Sequence, residues 1–217
     1  MQYFVSVVQQ IGHGISASLL LFVLTLVFSM PLGLLVCFGR MSKFRPLSAV
    51  AGFVISVLRG TPLMLQLVVV FFGPYYLLGI PVSNRWRFWA AIVGFSINYA
   101  EYFAEIYRSG IQSIPLGQYE AAEVLGYNKT QTFCKIIFPQ MVKRVLPPVA
   151  NEIITLTKDT SLAFVLAYAE MFTLAKQVAA ADASIAPLFV AGLFYYIFNY
   201  VVAFVMDSIE RKLAYYQ

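Results

Sequence analysis

Long apolar runs separated by short polar segments dominate the chain. Residues 15–38 and 185–206 contain no charged side chain, and each run reaches the roughly 20 residues that a helix needs to cross a bilayer. Hydrophobic residues make up 60% of the sequence and charged residues only 12%, too few to cover the surface of an ordinary soluble domain. The pattern predicts an all-α, polytopic membrane helical bundle that forms one domain, residues 1–217.

Residues 46–84 are the ambiguous part of this pattern, because they are apolar and carry one charge, Arg59. They fit either one span followed by an outer segment or two short spans. Cytoplasmic loops collect Lys and Arg, and a single span here places most of the basic residues on one side. We therefore predict a protein with its N-terminus outside, its C-terminus in the cytoplasm, and five transmembrane helices at about residues 14–38, 47–73, 87–108, 148–168 and 185–207.

The remaining composition excludes several classes of function. The net charge of +5 does not indicate a nucleic-acid partner, because no basic run exceeds two residues and the loop charges account for the excess. A lone His13, without a cluster of His, Cys and acidic residues, indicates no metal site. The first residues lack a basic segment and a small-residue cleavage site, so we expect no cleavable signal peptide.

A polar stretch at residues 119–140 interrupts the apolar pattern on the predicted cytoplasmic side. Helix-forming residues end at Gly126, where a left-handed cap is expected. Asn128 then offers an N-cap, with Gln131 three residues later to complete a capping box, and Pro139 is expected to close this second helix. The loop at about residues 114–140 is therefore predicted to be an elbow of two short helices. Its spacing alone is also compatible with a surface helix pair that only covers the bundle.

Three stretches carry a resemblance to a known family. Glu120-Ala121-Ala122, followed by Gly126, Ile136 and Phe138-Pro139, resembles the EAA loop of ABC importer permeases, with Phe138 where the family prefers Leu. "RGTPLMLQL", "AEIYRSGIQSIPLGQ" and "NEIITLTKDTSL" are similar to the permeases of the polar-amino-acid uptake group. The resemblance implies that the loop is a coupling helix docking on a cytoplasmic ATPase through Gly117, Tyr119, Glu120, Ala121, Ala122, Leu125 and Gly126.

The resemblance also implies a set of partners. The chain lacks a G-x-x-x-x-G-K-[ST] phosphate loop, so ATP and Mg²⁺ are expected in a separate ATPase subunit, and this chain is expected to be neither an enzyme nor a cofactor carrier. The family pattern implies two such ATPase subunits, an extracytoplasmic solute-binding protein and a second permease, identical or related. The implied location is the bacterial inner membrane.

Ionisable residues within the predicted spans are the candidates for a substrate pathway. Each costs about 2.5–3.5 kcal/mol on insertion scales, so such residues mark pathways or buried pairs. Asn98, Glu101, Glu105 and Arg108 share one face of the third span. Arg108 can pair with Glu105 at i,i+3, which leaves Glu101 without a local partner.

The fourth span adds Glu152, Thr155 and Asp159 on one face, while Lys158 points elsewhere. The excess of acids motivates the hypothesis that a cationic amino acid, arginine, lysine or histidine, crosses here. The candidate substrate-binding residues are Asn98, Glu101, Glu152, Thr155 and Asp159, and the candidate gate or buried charges are Arg59, Glu105, Arg108 and Lys158. Because Lys158 and Asp159 belong to a family motif found irrespective of substrate, a gate or scaffold role stays open for both.

We therefore predict the permease subunit of an ATP-driven, binding-protein-dependent importer of a cationic amino acid, working by alternating access. Two alternatives remain at this point: an importer of glutamine or glutamate, and a non-transporting membrane scaffold or signalling subunit.

Overall fold

The computed structural model of the protein describes residues 2–213, and over this range every regular element is helical. A π-helical segment, Phe133–Ile137, precedes α8, and a 3₁₀ segment, Thr160–Leu166, follows it. The α-helices are α1 (Gln2–Gly12), α2 (Ile15–Arg40), α3 (Arg45–Arg59), α4 (Leu63–Leu78), α5 (Asn84–Gln112), α6 (Leu116–Val124), α7 (Lys129–Thr132), α8 (Phe138–Asp159), α9 (Met171–Ala181) and α10 (Ala186–Leu213).

Two helical stretches between residues 2 and 213 are long and apolar enough to cross a membrane: Gln2–Arg40 and Ala186–Leu213. Two bent pairs, α3 with α4 and the helix Lys129–Leu166 with α9, raise the number to four if each pair is one span. The predicted third span lies within α5, which contains too many polar and charged residues to qualify as a membrane-crossing helix by its composition. With 29 residues α5 nevertheless extends for about 44 Å, more than the roughly 30 Å of a hydrocarbon core.

Helix α5 lies at the centre of the bundle and packs against α2, α4 and α8. Small residues allow the close approach. A Cβ at Gly33 of α2 would lie 2.8 Å from the Cβ of Phe103, and a Cβ at Gly110 would lie 2.1 Å from a methyl carbon of Val145 on α8. Because van der Waals packing between helices replaces the hydrophobic effect inside a membrane, these glycines bring the polar helix into full contact with its neighbours.

The predicted span at residues 47–73 is not one continuous helix. Helix α3 ends at Arg59, α4 begins at Leu63, and the two axes meet at 109°. Pro62 has an extended conformation (φ −62°, ψ 136°) and lacks the N–H that would continue the helix. The side chain of Gln66 donates to the carbonyl of Leu58 at 2.8 Å and to the hydroxyl of Thr61 at 2.9 Å, satisfying polar groups that the break exposes.

The elbow has the predicted form up to Thr132. Helix α6 ends before Gly126, which has φ +76°, and both hydrogen bonds of the Asn128–Gln131 capping box are present. The prediction that Pro139 closes the second helix is wrong, because the helix continues from α7 through the π segment into α8. Pro139 is the second residue after the π segment, so its missing N–H falls where the regular α-helical hydrogen-bond pattern is already interrupted.

A fully buried carboxylate, Glu170, organises the end of the bundle where α2 begins. It caps α9 by accepting from the N–H groups of Phe172 and Thr173, both at 2.7 Å, and from the hydroxyl of Tyr195 on α10 at 2.6 Å. Beside it, α1, α9 and α10 share a small apolar cluster: Val7, Ile11, Met171, Ala175, Val190 and Ala191. Glu170 therefore joins α9 and α10 at the edge of this cluster.

Replacing Glu170 by Ala is expected to destabilise the fold by at least about 2 kcal/mol, because buried donors lose their acceptor. For a chain of this size the midpoint of thermal unfolding in detergent should fall by roughly 4–8 °C. Glu120→Ala, which removes an exposed acid on α6, serves as the control and should leave the midpoint in place. Equal midpoints for the two variants would contradict the anchoring role of Glu170.

Candidate functional site

A cavity of about 640 Å³ lies between α5 and α8, with the end of α3 at its edge. Its lining combines two cations, Arg59 and Arg144, with two acids, Glu105 and Glu152. Uncharged polar groups complete the wall: Tyr102, Ser109 and Ser113. A cavity with both signs of charge has the complementarity that a zwitterion such as an amino acid requires.

Arg59 reaches this cavity from the break between α3 and α4. Its guanidinium lies 5.8 Å from the centre of the Tyr102 ring, and its Nε lies 3.6 Å from Oε2 of Glu101. The side chain is 51% exposed, so solvent reaches it from the cavity side. Arg59, predicted as a gate or buried charge, is thus half exposed at the edge of the cavity, and its gate role stays a prediction.

Glu101 lies behind Arg59 and does not line the cavity. Its side chain is 1% exposed, and neither carboxylate oxygen has a hydrogen-bond partner. Among residues 2–213, Arg59 of α3 is the oppositely charged side chain within 4 Å of Glu101. Burying a carboxylate without hydrogen bonds costs free energy, so Glu101 depends on the charge of Arg59.

Glu105 has the local partner that the i,i+3 spacing predicts. The carboxylate accepts from Nη2 of Arg108 at 2.6 Å and from Nε at 3.1 Å. Arg108 also donates to the side chain of Gln112 at 2.8 Å. Glu105 is thus held by its pair, although it remains at the cavity wall.

The other predicted site residues are distributed around this centre. Asn98 is buried and donates to the side-chain oxygen of Gln66 at 3.1 Å, so its amide is used within the protein. Asp159 accepts from the hydroxyl of Tyr99 at 2.7 Å, which ties the end of α8 to α5. Thr155 is half-buried and does not line the cavity, and Lys158 is exposed.

Sequence reasoning missed four polar contributors to the cavity: Tyr102, Ser109, Ser113 and Arg144. Tyr102 and Ser109 were detectable in principle, since they lie one residue after Glu101 and Arg108 on α5. Arg144 lies before the predicted span at residues 148–168, but the structure includes it in α8, where it lines the cavity. Residues 2–213 contain no group of three His, Cys or acidic side chains that could hold a metal ion.

The elbow presents a mostly exposed surface on α6 and the turn that follows it. Of the predicted coupling residues, Gly117, Glu120, Ala121, Leu125 and Gly126 are exposed, whereas Tyr119 is half-buried and Ala122 is fully buried. Burial raises the pKa of the Tyr119 hydroxyl above its ordinary value. Leu116 and Val124, 70% and 87% exposed, enlarge the apolar part of this surface and were not predicted.

Contacts between side chains connect the elbow to the bundle. Gln140 donates to the side chain of Gln118 at 3.2 Å and to the carbonyl of Ile136 at 2.9 Å. Arg144 donates to the carbonyl of Ser113 at the end of α5. Since Arg144 also lines the cavity, it links the cavity wall to the end of α5, directly before the elbow begins.

Comparison with known proteins identifies the group of proteins to which this geometry belongs. Residues 29–215 match the family described as "Binding-protein-dependent transport system inner membrane component". The arginine transport system permease protein ArtQ of Bacillus subtilis (strain 168) is 38% identical over 93% of this chain and 91% of its own length. The L-cystine transport system permease protein TcyB of the same organism is 36% identical over 94% of this chain and 86% of its own length.

A putative glutamine transport system permease protein, GlnP of Rickettsia felis, is 32% identical over 94% of this chain and 92% of its own length. A solved structure described as "Crystal structure of an amino acid ABC transporter with histidines" superimposes with a TM-score of 0.87 at 28% identity, covering 97% of both chains. The match in sequence and in fold extends over nearly the whole molecule. The chain belongs to the family of inner-membrane components of binding-protein-dependent transport systems.

Proposed function

We propose that this chain is the permease subunit of an ATP-driven amino-acid importer and that its substrate is a cationic amino acid: arginine, lysine or histidine. The family match supports the permease role. Relatives named for the transport of arginine, cystine and glutamine support amino acids as the substrate class without selecting one of them.

The observation that carries the preference for a cation is the state of Glu101. This acid is 1% exposed, has no hydrogen-bond partner and has a single loosely placed counter-charge, Arg59. A cationic side chain that reached it would supply both the missing charge and hydrogen-bond donors. Glu152, which lines the cavity from α8, adds a second acid for the ammonium group of the substrate.

The competing hypothesis within the same family is an importer of glutamine or glutamate. Arg59 and Arg144 line the cavity and offer two cations to a carboxylate. The buried Glu101 counts against a glutamate substrate, because the acid would repel a second negative charge in a low-dielectric environment. The non-transporting scaffold is not favoured, since the family match is to transport components.

The elbow supports a coupling role. Its exposed apolar face, with Leu116, Val124 and Leu125, is the kind of surface that a protein partner covers. We infer that a separate ATPase subunit docks here, one of two that supply ATP and Mg²⁺ to the complex, while a solute-binding protein delivers the amino acid from outside. A second permease, identical or related, completes the pathway. Movement of the elbow would rock α5 and α8 between inward-open and outward-open arrangements.

The substrate assignment predicts that Glu101→Gln selectively impairs the uptake of cations. Losing a charged hydrogen-bond partner is worth about 1.5–3 kcal/mol, so arginine and lysine uptake should fall by about tenfold or more. The measurement is ATP-dependent uptake of radiolabelled arginine, lysine, histidine, glutamine and glutamate into vesicles that contain this chain, its ATPase and its binding protein.

Asp182→Asn provides the control, because it removes an exposed acid far along the chain from the cavity. Wild-type preference for glutamine or glutamate would refute the cationic substrate while leaving the importer role intact. Unchanged arginine uptake in Glu101→Gln would remove Glu101 from the substrate site.

The coupling assignment predicts that Leu125→Glu weakens the association with the ATPase without unfolding the permease, because Leu125 is 73% exposed. Copurification of the ATPase and substrate-stimulated ATP hydrolysis should both fall, while the melting temperature of the isolated permease stays unchanged. Leu78→Glu is a matched control: it is 72% exposed and precedes α5, whereas the elbow follows α5. Full coupling in Leu125→Glu would place the docking surface elsewhere.

A further inference from the structure

Arg59 contacts both the cavity and the buried acid behind it. It is one of the residues that line the cavity, and its Nε lies 3.6 Å from Oε2 of Glu101. Glu101 itself does not line the cavity. A solute in the cavity therefore meets the guanidinium of Arg59 before it meets the carboxylate.

The position of Arg59 is set by the break between α3 and α4. Gln66 donates to the carbonyl of Leu58, the residue before Arg59, and accepts from Asn98 on α5. Asn98, Glu101 and Tyr102 follow one another at i, i+3 and i+4, so they share one face of α5. This face holds the end of α3 through Gln66 and holds the Arg59 side chain through Glu101 and Tyr102.

The contact between Arg59 and Glu101 is an ion pair without a hydrogen bond. Both oxygens of Glu101 lack a hydrogen-bond partner, and half of the Arg59 side chain is open to solvent. Removing Arg59 alone would leave a buried carboxylate without its counter-charge, which is strongly unfavourable. Replacing Arg59 by another cation keeps the charge balanced, and a displaced guanidinium can move toward Glu152, which lines the same cavity.

We propose that Arg59 is a specificity-determining residue that occupies Glu101 as an internal competitor of the substrate's cationic side chain. An amino acid with a cationic side chain gains Glu101 by exchanging with Arg59, whereas one with a neutral side chain has no side-chain charge to exchange. This inference rests on the proposed cationic substrate and goes further by naming the group that the substrate displaces.

The test is equilibrium binding of radiolabelled arginine and glutamine to the purified complex of this chain with its ATPase, without the binding protein. Arg59→Gln removes the competitor and should tighten arginine binding by at least about fivefold, with little change for glutamine. Arg59→Lys keeps a cation and should bind arginine nearly as the wild type does. Arg85→Gln, an exposed position at the start of α5, is the control for the loss of one positive charge.

A double variant shows whether the effect passes through Glu101. Arg59→Gln combined with Glu101→Gln should bind arginine no more tightly than Glu101→Gln alone, because without the Glu101 carboxylate Arg59 and the substrate have no group to compete for. If the gain persisted in the double variant, Arg59 would act by another route and the inference would be overturned.

Opposite results in the single variant also decide the question. Weaker binding of arginine and glutamine alike in Arg59→Gln would mean that Arg59 holds the substrate carboxylate. Unchanged arginine binding would mean that it does not compete. If Arg59→Gln failed to assemble, Gln66→Ala would serve instead. It frees the break while keeping the guanidinium, and it should tighten arginine binding by a smaller factor, whereas unchanged binding would overturn the inference.

Failure of this inference is distinguishable from failure of the proposed function. A wild-type complex that binds and transports no cationic amino acid refutes the substrate assignment, whatever Arg59 does. A wild-type complex that binds arginine, without tightening in Arg59→Gln or Gln66→Ala, refutes only the role of Arg59 as a competitor.

Discussion

The enclosure of α5 by its neighbours is the constraint on which the rest of the structure depends. This helix carries Asn98, Glu101 and Glu105, which would be costly if they faced lipid. They are tolerated because α5 contacts α2, α4 and α8 instead, at distances that Gly33 and Gly110 make possible. The same enclosure explains why α5, which is less apolar than α2 and α10, nevertheless forms the largest share of the core. Close packing thus allows a polar site to exist inside an apolar bundle.

Local signals in the sequence were sufficient where the interaction itself is local. The turn at Gly126, the Asn128–Gln131 capping box and the Glu105–Arg108 pair each involve residues within a few positions, and all three are present. The polar stretch at residues 119–140, set in an otherwise apolar chain, likewise predicted the position of the elbow. The prediction that the second elbow helix ends at Pro139 was wrong, because the π segment before this proline lets the helix continue through it.

Contacts between distant helices could not be read from the sequence. Arg59 with Glu101, Gln66 with Asn98 and Tyr99 with Asp159 each join elements whose relative positions depend on the bend between α3 and α4 or on the packing of α5 and α8. Asn98 shows the consequence: its residue type favoured a substrate contact, but the fold uses its amide to hold a neighbouring helix. Glu170 was overlooked for the same reason, since its partner Tyr195 lies on another helix.

The break between α3 and α4 shows how a structural requirement and a functional one are met together. Interrupting a helix in an apolar environment leaves carbonyl groups that must find donors inside the protein. Gln66 supplies a donor to Leu58 and Thr61, and its own carbonyl oxygen then needs the amide of Asn98 on α5. Satisfying the break therefore brings it against the polar face of α5, and Arg59 arrives beside Glu101 as a result. A continuous helix would need no such contact, so the interruption itself is what places a half-exposed cation next to the buried acid.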